Sequence, residues 1–224
     1  MADITKIDKK GNIIASFPMS LVGNYKGICY IGAGYFAIIF TRGRDLSLYS
    51  IRIDWTDATG RIDNIKLIKA FSEPGVAPTS YPHGVCTDGM FFYVICQETT
   101  IPQSGRVFKI DVNGNTQKIY HISGASHLRF RGITFNGKYF FATEIKENEL
   151  WQFDQEFNLI KKVSLPENLN RGACFDGVNL WVGGATNDDL YCLDYQGNVK
   201  NQISPSAGNL VGVATDGKDF YITQ

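Results

Sequence analysis

Five times along the chain a polar, turn-rich stretch gives way to large apolar residues, and each time the same small phrase comes first. It reads Gly27-Ile28-Cys29, Gly84-Val85-Cys86, Gly132-Ile133-Thr134, Gly172-Ala173-Cys174 and Gly212-Val213-Ala214. Four copies continue into a turn dipeptide and a bulky pair. These are Asp88-Gly89 before Phe92-Tyr93, Asn136-Gly137 before Phe140-Phe141, Asp176-Gly177 before Leu180-Trp181, and Asp216-Gly217 before Phe220-Tyr221. Adjacent bulky residues put apolar surface on both faces of a strand, as in a strand buried on both sides. Asp-Gly and Asn-Gly predict two-residue hairpin turns whose central positions take positive φ. The first copy has Gly32-Ala33-Gly34 there.

A second hairpin follows, centred on an aspartate. It runs Ile7-Asp8 to Gly11-Asn12, Ile53-Asp54 to Gly60, Ile110-Asp111 to Gly114-Asn115, Phe153-Asp154 to Asn158, and Leu193-Asp194 to Gly197-Asn198. Aspartate accepts backbone hydrogen bonds in a turn, and Gly or Asn supplies the left-handed position. Because every copy carries this aspartate, turn chemistry explains it better than calcium binding or catalysis.

Two hairpins per repeat of about 40 residues predict an all-β fold, a five-bladed β-propeller with four-stranded antiparallel blades. After Gly212 only one hairpin remains, and the segment from Ile4 to Phe17 supplies the other. The last blade is therefore closed by N-terminal strands joining C-terminal ones, which pairs edges that would otherwise be open. Residues 1–224 form one domain. Its blades fall near 20–75, 80–123, 127–166, 168–205, and 207–224 with 1–18. The extra length of the first two copies is placed in loops at Thr41–Asp45, Trp55–Ile62 and Glu98–Gly105.

Composition narrows the partners. Lys and Arg number 22 and Asp and Glu 22, so no global field draws the protein to nucleic acid or a membrane. No apolar run approaches the roughly 18 residues of a membrane span. The start lacks the apolar core of a signal peptide, so a cytoplasmic location, or assembly from the cytoplasm into a particle, is expected. Five cysteines are an odd number, which argues against a disulfide framework. Cys29, Cys86 and Cys174 share one repeat slot, so they point the same way around the ring and read as buried thiols. No metal-ligand spacing accompanies them, and no metal or cofactor is expected.

The phrase Pro82-His83-Gly84-Val85-Cys86-Thr87-Asp88-Gly89, its aromatic strand, and the hairpin Lys109 to Asn115 resemble the NHL-type and streptogramin-lyase-like propellers. The resemblance spans essentially the whole chain. It implies the propeller fold and, in the lyase branch, a metal-assisted site of His and Glu residues onto which His83 maps.

Candidate chemistry lies in the column just before the repeat glycine: Lys26, His83, Arg131, Arg171 and Val211. Propeller geometry gathers these around one channel mouth, with second-strand ends near Ile39, Cys96-Gln97, Glu144, Gly184 and Gln224. Lys26, His83, Arg131, Arg171, Gln97, Glu144, Gln224 and Tyr81 are the candidate ligand-binding residues, with the two arginines as bidentate partners of carboxylate or phosphate. The alternative is structural: these cations cap carbonyls, pair with Glu144 or hold water. Tyr25, Tyr81 and Phe130 suit sugar stacking or core packing. His121 and His127 are placed in the loop between the second and third blades, and Trp55 in a long turn as a possible partner contact.

Two function classes stay open. One is a non-enzymatic recognition or assembly module for a small anionic or glycan-like ligand or a protein partner. The other is a lyase or hydrolase using His83 and Glu144 as acid and base. A structural subunit of a larger particle, such as a phage virion, is a third reading. The absence of a visible nucleophile or metal set weighs toward the first. Oligomeric state is not legible.

Overall fold

The doubled bulky residues do form strands buried on both faces. Phe140–Glu144, Leu180–Gly183 and Phe220–Thr223 are buried at every position. A computed structural model describes residues 3–18, 24–42, 45–54, 61–71, 80–98, 105–122, 128–166, 171–205, 208 and 210–224. In chain order the strands begin with β1 (Asp3–Ile7) and β2 (Ile13–Pro18). Blade 1 holds β3 (Asn24–Gly32), β4 (Tyr35–Arg42), β5 (Asp45–Asp54) and β6 (Arg61–Ala70). Blade 2 holds β7 (Ser80–Thr87), β8 (Phe92–Glu98), β9 (Gly105–Ile110) and β10 (Thr116–Ile122). Blade 3 holds β11 (Phe130–Phe135), β12 (Phe140–Glu144), β13 (Glu149–Phe153) and β14 (Leu159–Ser164). Blade 4 holds β15 (Ala173–Phe175), β16 (Leu180–Gly183), β17 (Leu190–Leu193) and β18 (Val199–Ile203). The chain ends with β19 (Gly212–Thr215) and β20 (Phe220–Thr223).

All ladders are antiparallel, and the sheets number five, each of four strands. Blade 5 has the order β19-β20-β1-β2, so both ends of the chain build one sheet. Ile4 pairs with Thr223 and Ile7 with Phe220. An ion pair between Lys6 and Asp219 at 3.1 Å adds to the seam. The protein is an all-β, five-bladed propeller.

The core is not one mass but a set of slabs between blades. Tyr93, Val107 and Tyr120 of blade 2 pack on Phe140, Trp151 and Phe153 of blade 3. Trp181 and Leu190 of blade 4 pack on Val213 and Phe220 of blade 5, and Tyr221 of blade 5 meets Ile28 and Phe36 of blade 1. Cys29, Cys86 and Cys174 each face the following blade within these slabs. All five cysteines are free thiols. Burial pushes Cys29 up to about 12 and raises Cys86 and Cys174 as well, which keeps them protonated and unreactive.

Three local expectations are corrected. The Asp-Gly hairpins are four-residue loops, since Thr87 pairs with Phe92 and Thr215 with Phe220. Only the glycine takes positive φ there. The preceding Asp is spent differently: Asp88 Oδ1 accepts from the N–H groups of Met90 and Phe91, and Oδ2 accepts from the Tyr93 hydroxyl. The two-residue turn with both φ values positive is Ala33-Gly34, at 49° and 78°. Second, part of blade 1's extra length is strand, because Arg42 pairs with Asp45 and Ile53 with Ile62. In blade 2, Glu98 and Gly105 also end strands. Third, His121 is not in a loop but is an exposed residue of β10, paired with Arg106. Trp55 and His127 lie outside the described residues.

Four of the five second-hairpin aspartates are turn residues, whereas Asp54 ends β5 and pairs with Arg61. Asp8, Asp111, Asp154 and Asp194 each accept two backbone N–H groups and the side-chain amide of the following Asn.

Candidate functional site: the channel mouth

The repeat glycines form a collar around the axis. A methyl group on Gly27 would lie 2.6 Å from the His83 carbonyl oxygen, and one on Gly84 2.7 Å from that of Arg131. On Gly132 it would meet Ala173 N at 2.6 Å, and on Gly172 it would meet Val213 N at 2.6 Å. Each of these four glycines thus lies against the backbone of the next blade. The repeat needs glycine here for close approach, not for a turn. The collar pinches the channel. The cavity left there is about 10 Å³, lined by Gly84, Gly132, Gly172, Gly212 and Arg131. Beyond the ring Ile28, Val85, Ile133, Ala173 and Val213, a second cavity of about 100 Å³ continues among the Cys29, Cys86, Thr134, Cys174 and Ala214 positions.

The residue before each glycine sits at an irregularity in the ladder. Tyr25 pairs with Phe40 and Gly27 with Ile39, which leaves Lys26 over. Pro82 pairs with Cys96 and Gly84 with Ile95, which leaves His83 over. Arg131 and Gly132 together oppose Thr143. In blade 4, Arg171 N donates to Gly183 O, and Gly183 N donates back to Gly172 O. Two residues against one is a β-bulge, which bends the strand and re-aims a side chain. The bulged backbone is satisfied by side chains: Thr143 Oγ1 accepts from Gly132 N at 2.8 Å and donates to Arg171 O at 2.9 Å, and Thr223 Oγ1 accepts from Gly212 N.

Lys26, His83, Arg131 and Arg171 come together. Arg131 Nη1 lies 2.8 Å from His83 Nδ1. Burial lowers the Lys26 pKa, and the charges of Arg131 and Arg171 lower it further. Burial also lowers that of Arg131, followed by Arg171 and Arg129. His83, 8% exposed, is pushed down to about 3 by burial, then by Arg131 and Lys26, against a hydrogen bond to Gln97 that favours the charged ring. Among the described residues, Lys26, Arg131 and Arg171 make no ion pair. Val211, the fifth member of the column, donates its backbone N–H to Thr223 O and accepts from Gly172 N.

Glu144 does not join them as a free acceptor. It is 0% exposed, and its two oxygens accept from Arg129 N at 2.9 Å and Glu147 N at 2.8 Å. It braces the backbone that leads into Arg131. Tyr25 and Phe130 are core residues against Phe40 and Trp151. Tyr81 stays 38% exposed, opposite Gln97. Gln224 is half-buried and donates its backbone N–H to Asp3 O. Ile39 and Cys96 are buried in the slab between blades 1 and 2. The bulge and the Thr143 latch were invisible in the sequence, since both depend on the register of the partner strand.

Solved structures share this architecture. One is glutaminyl cyclase from Myxococcus xanthus, at a TM-score of 0.63 with 12% identity over 93% of each chain. Regucalcin from Agrobacterium tumefaciens, described as a calcium-binding protein, gives 0.56 at 10% identity, over 97% of this chain and 92% of that one. A streptogramin B lyase gives 0.50 at 15% identity, over 99% and 72%. The shared feature is the propeller fold. No family model matches the chain, and no curated protein matches it in sequence. Neighbours with such different names leave the choice of chemistry to the site itself.

Three cations and a neutral imidazole around a narrow mouth can hold a negatively charged group by charge-assisted hydrogen bonds. Arg131 and Arg171 offer planar forks for oxygen pairs, while Lys26 adds a point charge.

Proposed function

We propose that the protein is a non-enzymatic recognition module that binds a small anionic group at its channel mouth through Lys26, Arg131 and Arg171. The observation behind this reading is the convergence of those side chains with no carboxylate partner among the described residues. Each lowers the pKa of a neighbour, so the cluster stores repulsion that an anion relieves. Such a cluster in a neutral protein is costly without a ligand to compensate it.

The lyase reading has less behind it. Glu144 is occupied by backbone, and a His83 lowered to about 3 is a weak base at neutral pH. Its charge-free ring suits a hydrogen-bonding role.

Titration calorimetry with inorganic phosphate on wild type and on Arg131→Ala/Arg171→Ala tests the proposal. Loss of charge-assisted hydrogen bonds of about 1.5–3 kcal/mol each predicts at least a tenfold weaker affinity in the double variant. Its melting temperature should hold or rise, since the variant removes like-charge repulsion. A large fall in melting temperature, with phosphate binding unchanged per folded molecule, would make the cations structural.

A further inference from the structure

The contact between Arg131 and His83 adds a regulatory layer to the proposed site and names the class of anion, and it rests on the anion-binding reading above. A guanidinium only donates. At 2.8 Å from Arg131 Nη1, His83 Nδ1 must therefore accept, so the ring is neutral and its proton sits on Nε2. Protonation of Nδ1 would turn that acceptor into a donor facing a donor. The bond cannot survive this change, and Arg131 must swing away from the ring.

The charged groups facing His83 are those expected to resist protonation. Arg131 from β11 and Lys26 from β3 oppose it, whereas the hydrogen bond to Gln97 of β8 favours the charged ring; Arg171 stands beside Arg131 from the start of blade 4. Among these described residues there is no carboxylate. An anion in the mouth supplies the missing negative charge. It stabilises the imidazolium and accepts the hydrogen bonds of the freed Arg131.

We infer that the channel mouth takes a compact, doubly charged oxyanion, and that its binding is coupled to protonation of His83, which releases Arg131 from the ring to the ligand. His83 is thus a positioning residue for Arg131. The size limit comes from the collar. The adjoining cavity is only about 10 Å³, room for about one water, so the ligand stops at the mouth and presents only a terminal group to it. The charge follows from the cluster: with His83 protonated, Lys26, His83, Arg131 and Arg171 carry four positive charges, and a dianion offsets two of them where a monoanion offsets one.

The sign of the pH dependence follows from linkage. The free protein holds His83 at about 3, and the bound protein holds it higher. Between those two values, binding takes up one proton, and affinity rises by up to about tenfold per unit fall in pH. Sulfate is the clean probe because it stays fully ionised across pH 5–8. Calorimetry in two buffers of different ionisation heat counts the protons. Wild type should bind sulfate at least about threefold more tightly at pH 5 than at pH 7, with net proton uptake. His83→Gln keeps a hydrogen-bond acceptor but cannot titrate, and its affinity should be flat with pH. Equal slopes in wild type and His83→Gln would overturn the coupling while leaving the anion site standing. No sulfate binding at any pH would overturn the site itself. At pH 7.5, methyl phosphate should bind more tightly than the singly charged methyl sulfate; equal binding would overturn the preference for a dianion and for phosphate over sulfate esters.

Discussion

At residue scale, a hydrogen atom on each collar glycine lets the blades meet. Two glycines in the same blade separate the two reasons a repeat keeps this residue. Gly132 has ordinary backbone geometry, and an added methyl would lie 2.6 Å from Ala173 N and 2.8 Å from Arg171 O. Those are backbone atoms that can move only if blade 4 moves. Gly137 has φ +89° and open space around it. Gly132→Ala therefore costs overpacking, about 2–3 kcal/mol, whereas Gly137→Ala costs only conformational strain of about 1 kcal/mol. For a chain of this size each kcal/mol lowers the melting temperature by about 2–4 °C. Thermal unfolding should thus place Gly132→Ala clearly below Gly137→Ala. The reverse order would mean that the collar relaxes without strain. The cation column next to these glycines was legible because a repeat aligns equivalent positions. That Lys26, His83 and Arg131 project from bulges was not, because a bulge exists only relative to the partner strand.

At the scale of elements, the turns that join third and fourth strands show how one substitution changes an interface. In blades 2, 4 and 5 the turn glycine presses on the outer strand of the preceding blade. A methyl on Gly114 would run into Ile68 O, one on Gly197 would lie 2.7 Å from Val163 Cγ1, and one on Gly11 2.8 Å from Ile203 Cγ2. Blade 3 carries Phe157 at this place, with φ 60°. Its ring fills the gap instead, 4.5 Å from Phe140 and 4.8 Å from Tyr120. A bulky residue in the left-handed region costs about 1–2 kcal/mol. Loss of a buried phenylalanine costs about 3–5 kcal/mol, so packing outweighs strain. Phe157→Gly should lower stability by about 2 kcal/mol in denaturant unfolding, despite restoring the repeat residue. A stabilised variant would show that the backbone strain dominates. The doubled aromatics announced the buried strands directly, since a bulky apolar pair can be covered on both faces only where the strand is buried on both. Four-residue loops are not legible in the sequence because Asp-Gly also suits the shorter turn, and the choice depends on where the ladder ends. The partners of Glu144 are illegible for a related reason: they are backbone groups of Arg129 and Glu147, which no side-chain pattern reveals.

For the whole molecule, the ring is closed by the seam between β1 and β20. Ile4, Thr5, Lys6 and Ile7 pair with Thr223, Ile222, Tyr221 and Phe220, and Gln224 N donates to Asp3 O at 3.2 Å. Ile4 and Ile7 are fully buried, Ile4 in the slab toward blade 1 and Ile7 in the slab toward blade 4. A chain without residues 1–18 keeps β19 and β20 but exposes the outer edge of β20 and opens both slabs. Unpaired strand edges template association with other chains. The truncated chain should therefore unfold without a cooperative transition and associate in sedimentation experiments. A circular permutant tests whether the strands or their order in the chain matter. Residue 224 joined through a short linker to residue 3, with the chain opened between β2 and β3, retains every ladder and every slab. It should melt cooperatively within a few degrees of wild type and bind anions equally well, because Lys26, Arg131 and Arg171 depend on blade packing around the collar and not on which blade contains the chain ends. If the permutant behaves like the truncation, connectivity through residues 19–23 rather than the strand seam holds the ring together.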